Sequence, residues 1–298
     1  MESLFNRLCS FISKCHNRFV SGQDYLPAQK EICVKVKHAG KLLKTLGIQR
    51  VESVEKLTVH GELNGTDIAC IRKMKRLEQL NLKEARIVPG GICYQKYCHT
   101  SKNHIGKYAF EQLTNLKEIV LPDTITCIEE RAFAECRNLT AVELPETLTH
   151  IEAEAFINTK LKEISIPQSV IFMGKDAIAY CPDLTSVTLK DGNKPMQWVG
   201  DAFTSCPVET FYLGRDLGFY DYCEFHDPST LRSVTIGHIV KTVNIHFGSH
   251  IKEITCLNAQ PPQFENGFNQ NCTVYVPKAY YEAYWIHPFW GKMDIKPI

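Results

Sequence analysis

Apolar residues recur along this chain in short bursts at first, fourth and sixth positions. Leu116, Ile119 and Leu121 form one burst. It is followed by Leu139/Val142/Leu144, Leu161/Ile164/Ile166, Leu184/Val187/Leu189, Val208/Phe211/Leu213 and Leu231/Val234/Ile236. The leading residues of these bursts are separated by 23, 22, 23, 24 and 23 positions. The same burst begins at Val54 and at Leu77, 23 apart, and at Ile251, 20 after Leu231. Between Leu77 and Leu116 the interval is 39, one repeat plus an insertion. A fixed period of this size marks a repeat array, in which no unit can bury its apolar face alone.

Alternation inside each burst predicts a short strand whose fourth and sixth residues turn inward and whose third and fifth turn outward. Pro122, Pro145 and Pro167 follow three of the bursts. Proline cannot donate to a ladder, so it ends the strand and starts a turn. A second apolar feature has the same period. Ile105, Ile128, Ile151, Met173 and Val199 precede an alanine-led pair whose large member is Phe110, Phe133, Phe156, Ile178 or Phe203. Phe225 is expected to fill the same place one unit later. These residues are expected to close the far side of each core slab. Cys136, Cys181 and Cys206 each lie three residues after the pair, where the first unit has Leu113. A slot that takes either Leu or Cys is a small buried apolar slot. Equivalent positions of neighbouring units stand about 4.8 Å apart, so Cys181 and Cys206 are within reach of each other, although the pattern does not require a bond.

The consensus LxxLxLPxxLxxIxxxAFxxCxx, matched almost position for position from Ile105 to Phe172, resembles the BspA-like leucine-rich repeats (LRR_5 type). Residues 32–82 resemble the N-terminal cap and first repeats of such proteins from gut Bacteroidetes. The TVYVPK, YEAY and PFW order near the C-terminus resembles their closing segment. The resemblance implies an α/β fold: a right-handed leucine-rich-repeat solenoid with one parallel β-sheet. It also implies short helical or 3-10 turns on the opposite side and a cap at each end. It implies a non-enzymatic binding module of the cell envelope or exterior. The partner would be a host or bacterial surface protein, or a glycan, as in adhesion. The expected organisation is an amphipathic or disordered segment over 1–30, a solenoid over 31–258 with an insertion at 83–104, and a cap over 259–298.

Charge and composition narrow the picture. The 34 Lys+Arg against 33 Asp+Glu leave a formal charge of +1, which argues against nucleic acid bound by broad phosphate neutralisation. No apolar run reaches the ~18 residues of a transmembrane span. Arg7 and Lys14 interrupt the N-terminal stretch, so no secretory leader is legible there and a cytoplasmic location stays open. The 13 cysteines are odd in number and cannot all pair within the chain. The sequence sets no oligomeric state.

The outward positions define the expected binding face. Glu118, Glu143 and Glu163 form an acidic stripe, and Ser165, Ser186, Thr188, Thr210, Tyr212, Ser233 and Thr235 continue it as a hydroxyl-rich field. Hydroxyls and a tyrosine bond a protein or glycan at low entropic cost; the same residues also suit any solvated sheet face. The insertion 83–104 offers Tyr94 and Tyr97 as loop contacts. It also carries Cys93, Cys98, His99 and His104, a weak metal candidate because the spacing fits no zinc finger. No cofactor is expected. The chain lacks GxSxG, HExxH, P-loop and GxGxxG motifs. Two alternatives remain: a structural envelope component, and a scaffold with a small metal or hydrolytic site in 83–104. The C-terminal aromatics are expected to cover the open end of the core.

Overall fold

The computed structural model describes residues 30–201, 203–219, 228–245, 247–264 and 272–298. The 1–29 part of the expected N-terminal segment, and Phe225, lie outside them. The bursts form a parallel ladder. Glu31–Val36, Lys56–Leu63, Gln79–Asn81, Glu118–Val120 and Ala141–Glu143 pair side by side in that order. Glu163–Ile166, Ser186–Leu189, Thr210–Leu213, Ser233–Ile236, Glu253–Cys256, Thr273–Val276 and Asp294–Pro297 make a second run. Across the seam between the runs, Lys160 N–H still donates to the Leu139 carbonyl at 3.0 Å. Two strands of the C-terminal segment, Thr273–Val276 and Asp294–Pro297, therefore continue the sheet. Each strand is parallel to its neighbour because every unit returns the chain to the same edge.

The register is unbroken within each run, so the leading, fourth and sixth residues stack over their equivalents. Leu116, Leu139, Leu161, Leu184 and Leu231 are all fully buried, as are Ile119, Ile166 and Val234. The far side of the core is the aromatic column. Phe110 and Phe133 stack with ring centroids 5.5 Å apart, and Phe133 and Phe156 at 5.2 Å with rings tilted by only 7°. Ile178 takes the next place, and Phe203 meets Trp198 edge to face at 5.3 Å.

Between the two sides runs a second parallel ladder of very short strands: His104–Ile105, Cys127–Ile128, His150–Ile151, Phe172–Met173, Met196–Trp198 and Leu217–Phe219. The turns beyond it make i→i+3 bonds, such as Ala132 N–H to Glu129 and Ala134 N–H to Arg131. They do not continue as a helix, because two left-handed residues, four positions apart, interrupt each turn. Tyr108 and Gln112, Arg131 and Glu135, Glu154 and Asn158, and Asp176 and Tyr180 all have φ between 52° and 62°. This conformation costs an L-residue on the order of 1–2 kcal/mol. It aims alternate N–H groups at the next rung, where Phe110 donates to Ala132, Phe133 to Ala155 and Phe156 to Ala177, each at 2.8 Å. The strain is thus offset by a third hydrogen-bonded ladder.

The cysteine slots behave as apolar positions with one weak donor. Cys136 Sγ–H donates to the Phe110 carbonyl at 3.1 Å, and Cys181 and Cys206 repeat this toward Phe156 and Ile178 at 3.5 Å. Thr159 fills the slot in the remaining unit and bonds the Phe156 carbonyl at 3.0 Å. Burial pushes the Cys136 thiol up to about 12, so it stays protonated and inert at neutral pH.

The N-terminal end is closed by helices Leu42–Leu46 and Gly65–Ile71. Asp67 is fully buried, and its carboxylate accepts from the backbone N–H groups of Gly40, Leu42 and Asn64 at 2.5, 2.9 and 2.9 Å. One side chain thereby ties the cap to the first repeat. Asp67→Ala would strand three donors and is expected to cost about 2–3 kcal/mol in urea unfolding; a loss below about 0.5 kcal/mol would show the tie to be unimportant.

The C-terminal end is closed by aromatics. Trp290 is fully buried with its indole N–H donating to the Pro262 carbonyl at 2.9 Å, and Tyr284 O–H donates to the Asn258 carbonyl at 3.2 Å. Phe264 stacks on Phe289 at 5.4 Å. Among the described residues no helix is long and apolar enough to cross a membrane.

Candidate functional site

The outward third and fifth positions of the strands form two rows across the sheet. In the second run, Glu163, Ser186, Thr210, Ser233, Glu253, Thr273 and Asp294 make one row. Ser165, Thr188, Tyr212, Thr235, Thr255, Tyr275 and Lys296 make the other. In the first run Glu118 stands across from Ala141, and Val120 across from Glu143. The acidic stripe is therefore a zigzag in which Glu118 and Glu163 share a row on either side of Ala141 while Glu143 sits in the next row.

Exposure varies along this face. Glu143, Glu163, Ser165 and Thr210 are exposed, while Ser186, Thr188, Tyr212, Ser233 and Thr235 are half-buried, as neighbours on a pleated surface shield one another. Thr210 Oγ1–H donates to Ser186 Oγ at 3.0 Å. Tyr212 O–H donates to Asp191 Oδ1 at 2.9 Å, and burial followed by that carboxylate raises the phenol to about 12. The hydroxyl is thus occupied. Gly237 makes the arrangement sterically feasible: a Cβ there would lie 2.5 Å from Asp191 Oδ1 and 2.9 Å from Tyr212 Oη. Tyr275, counted among the cap aromatics by sequence, stands beside Thr255 in the same outward row.

Toward the N-terminus the face closes. Thr58, Asn81 and Val120, at outward positions, are at most 9% exposed. Glu118 is half-buried and accepts from Gln79 Nε2 at 3.1 Å. A shallow recess lies here between Lys56, Gln79, Asn81, Glu118 and Val120.

The 83–104 insertion is not a plain loop. Ala85–Ile87 pairs with Lys56–Leu63, and Gly90–Gln95 with Cys98–Thr100 forms an antiparallel hairpin seated against helix Gly65–Ile71. Gly65 permits this seat, since a Cβ there would lie 2.2 Å from the Ile92 carbonyl. Tyr94 is buried and its O–H donates to the Lys107 carbonyl at 3.0 Å, so it anchors the hairpin and does not face a partner. Tyr97 is 84% exposed at the hairpin tip, with Lys96 Nζ 5.2 Å from its ring centroid. The metal candidate is dispersed. Cys93 Sγ lies 3.2 Å from His99 Nε2, Cys98 is buried against the Lys96 carbonyl, and His104 bonds Glu129 at 2.8 Å. Among the described residues no three His, Cys, Asp or Glu side chains gather as a metal site would. None of the ten described cysteines is in a disulfide.

Sequence reasoning missed one cluster on this face. Cys33 Sγ lies 3.3 Å from His60 Nε2, and His60 Nδ1 lies 2.7 Å from Glu84 Oε2. The three residues are 27 and 24 positions apart, close to one repeat length.

The repeat geometry agrees with comparison by sequence. Residues 103–232 match the BspA type leucine-rich repeat region in six copies. Residues 103–232 are a BspA-type leucine-rich repeat region. No curated protein matches it with significance. Among solved structures, a leucine-rich repeat protein from Bacteroides ovatus is 18% identical, with a TM-score of 0.42, over 94% of this chain and 76% of that one. The pneumococcal vaccine antigen PcpA is 16% identical, with a TM-score of 0.32, over 84% of this chain and 63% of its own. A leucine-rich cell surface protein from Faecalibacterium prausnitzii is 13% identical, with a TM-score of 0.31, over 82% and 79%. At such values neither ligand nor activity carries over.

Proposed function

We propose that this protein is a non-enzymatic recognition module of the cell envelope or exterior, and that its outward sheet face binds a surface protein. The observation that carries this reading is the paired row of outward residues held in register across seven consecutive strands, from Glu163/Ser165 to Asp294/Lys296. A BspA-type repeat supplies a protein-binding scaffold, and a solenoid presents its sheet as an extended surface. The chemistry divides that surface. Glu118, Glu143 and Glu163 suit a basic patch on the partner, and the Ser/Thr rows around the fixed Tyr212 ring suit hydrogen bonding and stacking. Tyr97 on the hairpin tip is a second contact. A glycan is the alternative occupant, favoured by the hydroxyl rows and the Tyr212 and Tyr275 rings.

The test compares affinity capture from host-cell and bacterial surface extracts by wild type, by a Tyr212→Ala/Glu143→Lys double variant and by a Lys175→Glu control on an exposed turn of the far side. A partner identified by mass spectrometry and then purified is expected to bind wild type and control alike, and the double variant at least about tenfold more weakly. Equal affinity for all three would rule out the sheet face.

A further inference from the structure

The Cys33, His60 and Glu84 cluster is not used by the recognition surface. We propose that Cys33 is a nucleophilic thiol with His60 as its base and Glu84 as the orienting carboxylate, forming a covalent-modification site for low-molecular-weight disulfides. The arrangement follows from register. Cys33 lies across from Thr58, and Lys35 across from His60, on the outward face of the Glu31–Val36 and Lys56–Leu63 pair. His60 is therefore one diagonal step from Cys33. Glu84 reaches it from the opposite side, where the Glu84 carbonyl accepts from Gly61 N–H at 3.3 Å. Holding Nδ1–H against the Glu84 carboxylate leaves Nε2 to take the thiol proton, the logic of a nucleophile, its base and the base's orienter.

Thr58 is only 3% exposed and its Oγ1 has no hydrogen-bond partner. Thr58 is the residue paired with Cys33 in the register of the two strands. Cys93 and His99 on the hairpin supply the contrast: their sulfur and ring nitrogen are 3.2 Å apart, on the exposed hairpin, without a carboxylate bonded to the ring among the described contacts.

Thiol–disulfide exchange needs a thiolate, access and a proton for the leaving thiol. The Cys33 proton moves to His60 Nε2, and Sγ attacks one sulfur of RSSR. The RS–SR bond breaks as the Cys33–SR bond forms. The departing RS⁻ takes the proton back from His60. The balance is Cys33–SH + RSSR → Cys33–S–SR + RSH, with no other oxidant.

The experiment incubates the full-length protein with glutathione disulfide and follows each cysteine by peptide mass mapping over time. Cys33 is expected to form the mixed disulfide at least about tenfold faster than Cys93, with Cys136 and Cys181 unmodified as a check on folding. His60→Ala should slow Cys33 about tenfold or more, and added imidazole should restore part of the rate. Glu84→Ala should slow it, and Glu84→Gln, which still accepts from Nδ1–H, should retain most of it. Should His60→Ala unfold, exposing all cysteines together, the Glu84 pair decides. Cys33 unmodified or no faster than Cys93, a rate unchanged by His60→Ala, or equal loss in Glu84→Ala and Glu84→Gln would each overturn the proposal.

Discussion

Phe133→Ala is expected to cost about 3–5 kcal/mol, among the largest losses any single substitution in this chain can produce. The ring is fully buried between Phe110 and Phe156, so its removal opens a void that both neighbours line. The backbone there cannot collapse to fill it. Arg131 and Glu135 are held left-handed by bonds to Ala153 and Ile157, and Phe133 N–H is bonded to Ala155. In a solenoid each rung contacts only its neighbours. Hydrogen exchange should therefore quicken first in the turns around Tyr108–Leu113 and Glu154–Thr159, with Ser233–Ile236 changed little. Phe133→Leu should recover much of the loss by keeping most of the volume. A cost below about 1 kcal/mol for Phe133→Ala would show that the aromatic column is not the core's far wall.

Arg215→Met is expected to be comparably damaging, at about 3–5 kcal/mol, even though the replacement is apolar and similar in length. Arg215 is fully buried without a carboxylate in bonding contact among the described residues. Its guanidinium donates instead to the carbonyls of Ile166, Pro167, Gln168, Val170 and Lys190. These come from turns one and two rungs away, so one cation gathers two turns; Ile166 and Pro167 also accept from the Lys190 and Val170 N–H groups, at 3.0 and 3.2 Å. Burial lowers the guanidinium to about 10, which still leaves it charged at neutral pH. The variant would strand the Gln168, Val170 and Lys190 carbonyls in a dry interior. Urea unfolding measures the cost, and Arg215→Lys, with a single ammonium in place of a planar fork, should recover only part of it. Full stability of Arg215→Met would mean that the turns find other donors.

The core was legible because its rule is local. Leu116, Ile119 and Leu121 are spaced as a strand, and their repetition every 23 or so residues identifies the stack without any long-range knowledge. The outward rows followed from the same alternation. The short second ladder was not legible, since two residues such as Cys127–Ile128 carry no periodicity to read. Nor were the left-handed turns. Such positions normally announce themselves by Gly or Asn, yet here they are occupied by Tyr108, Arg131 and Glu154 and are held by inter-rung bonds. The hairpin at 90–100 turns through Lys96 and Tyr97, and Tyr97 has a φ of 62° without the Asn-Gly signal of a tight turn. Tyr94 read as a contact residue because an aromatic in an insertion resembles one; only its burial and its bond to the Lys107 carbonyl show it to be an anchor. The Cys33 cluster did leave a trace, because residues one repeat apart on outward positions must be neighbours. That trace becomes readable only once the first strand, Glu31–Val36, is recognised as a rung ahead of Val54.

Site-specific photo-crosslinking asks whether the outward sheet face meets the partner. A benzophenone amino acid is placed singly at Ser165, Thr210 or Thr235 on the face, at Tyr97 on the hairpin tip, and at Lys175 on the far side. Each protein is then irradiated with the captured partner. Covalent adducts are expected from 165, 210 and 235, and none from 175. Adducts from 175 with none from the face would contradict that expectation.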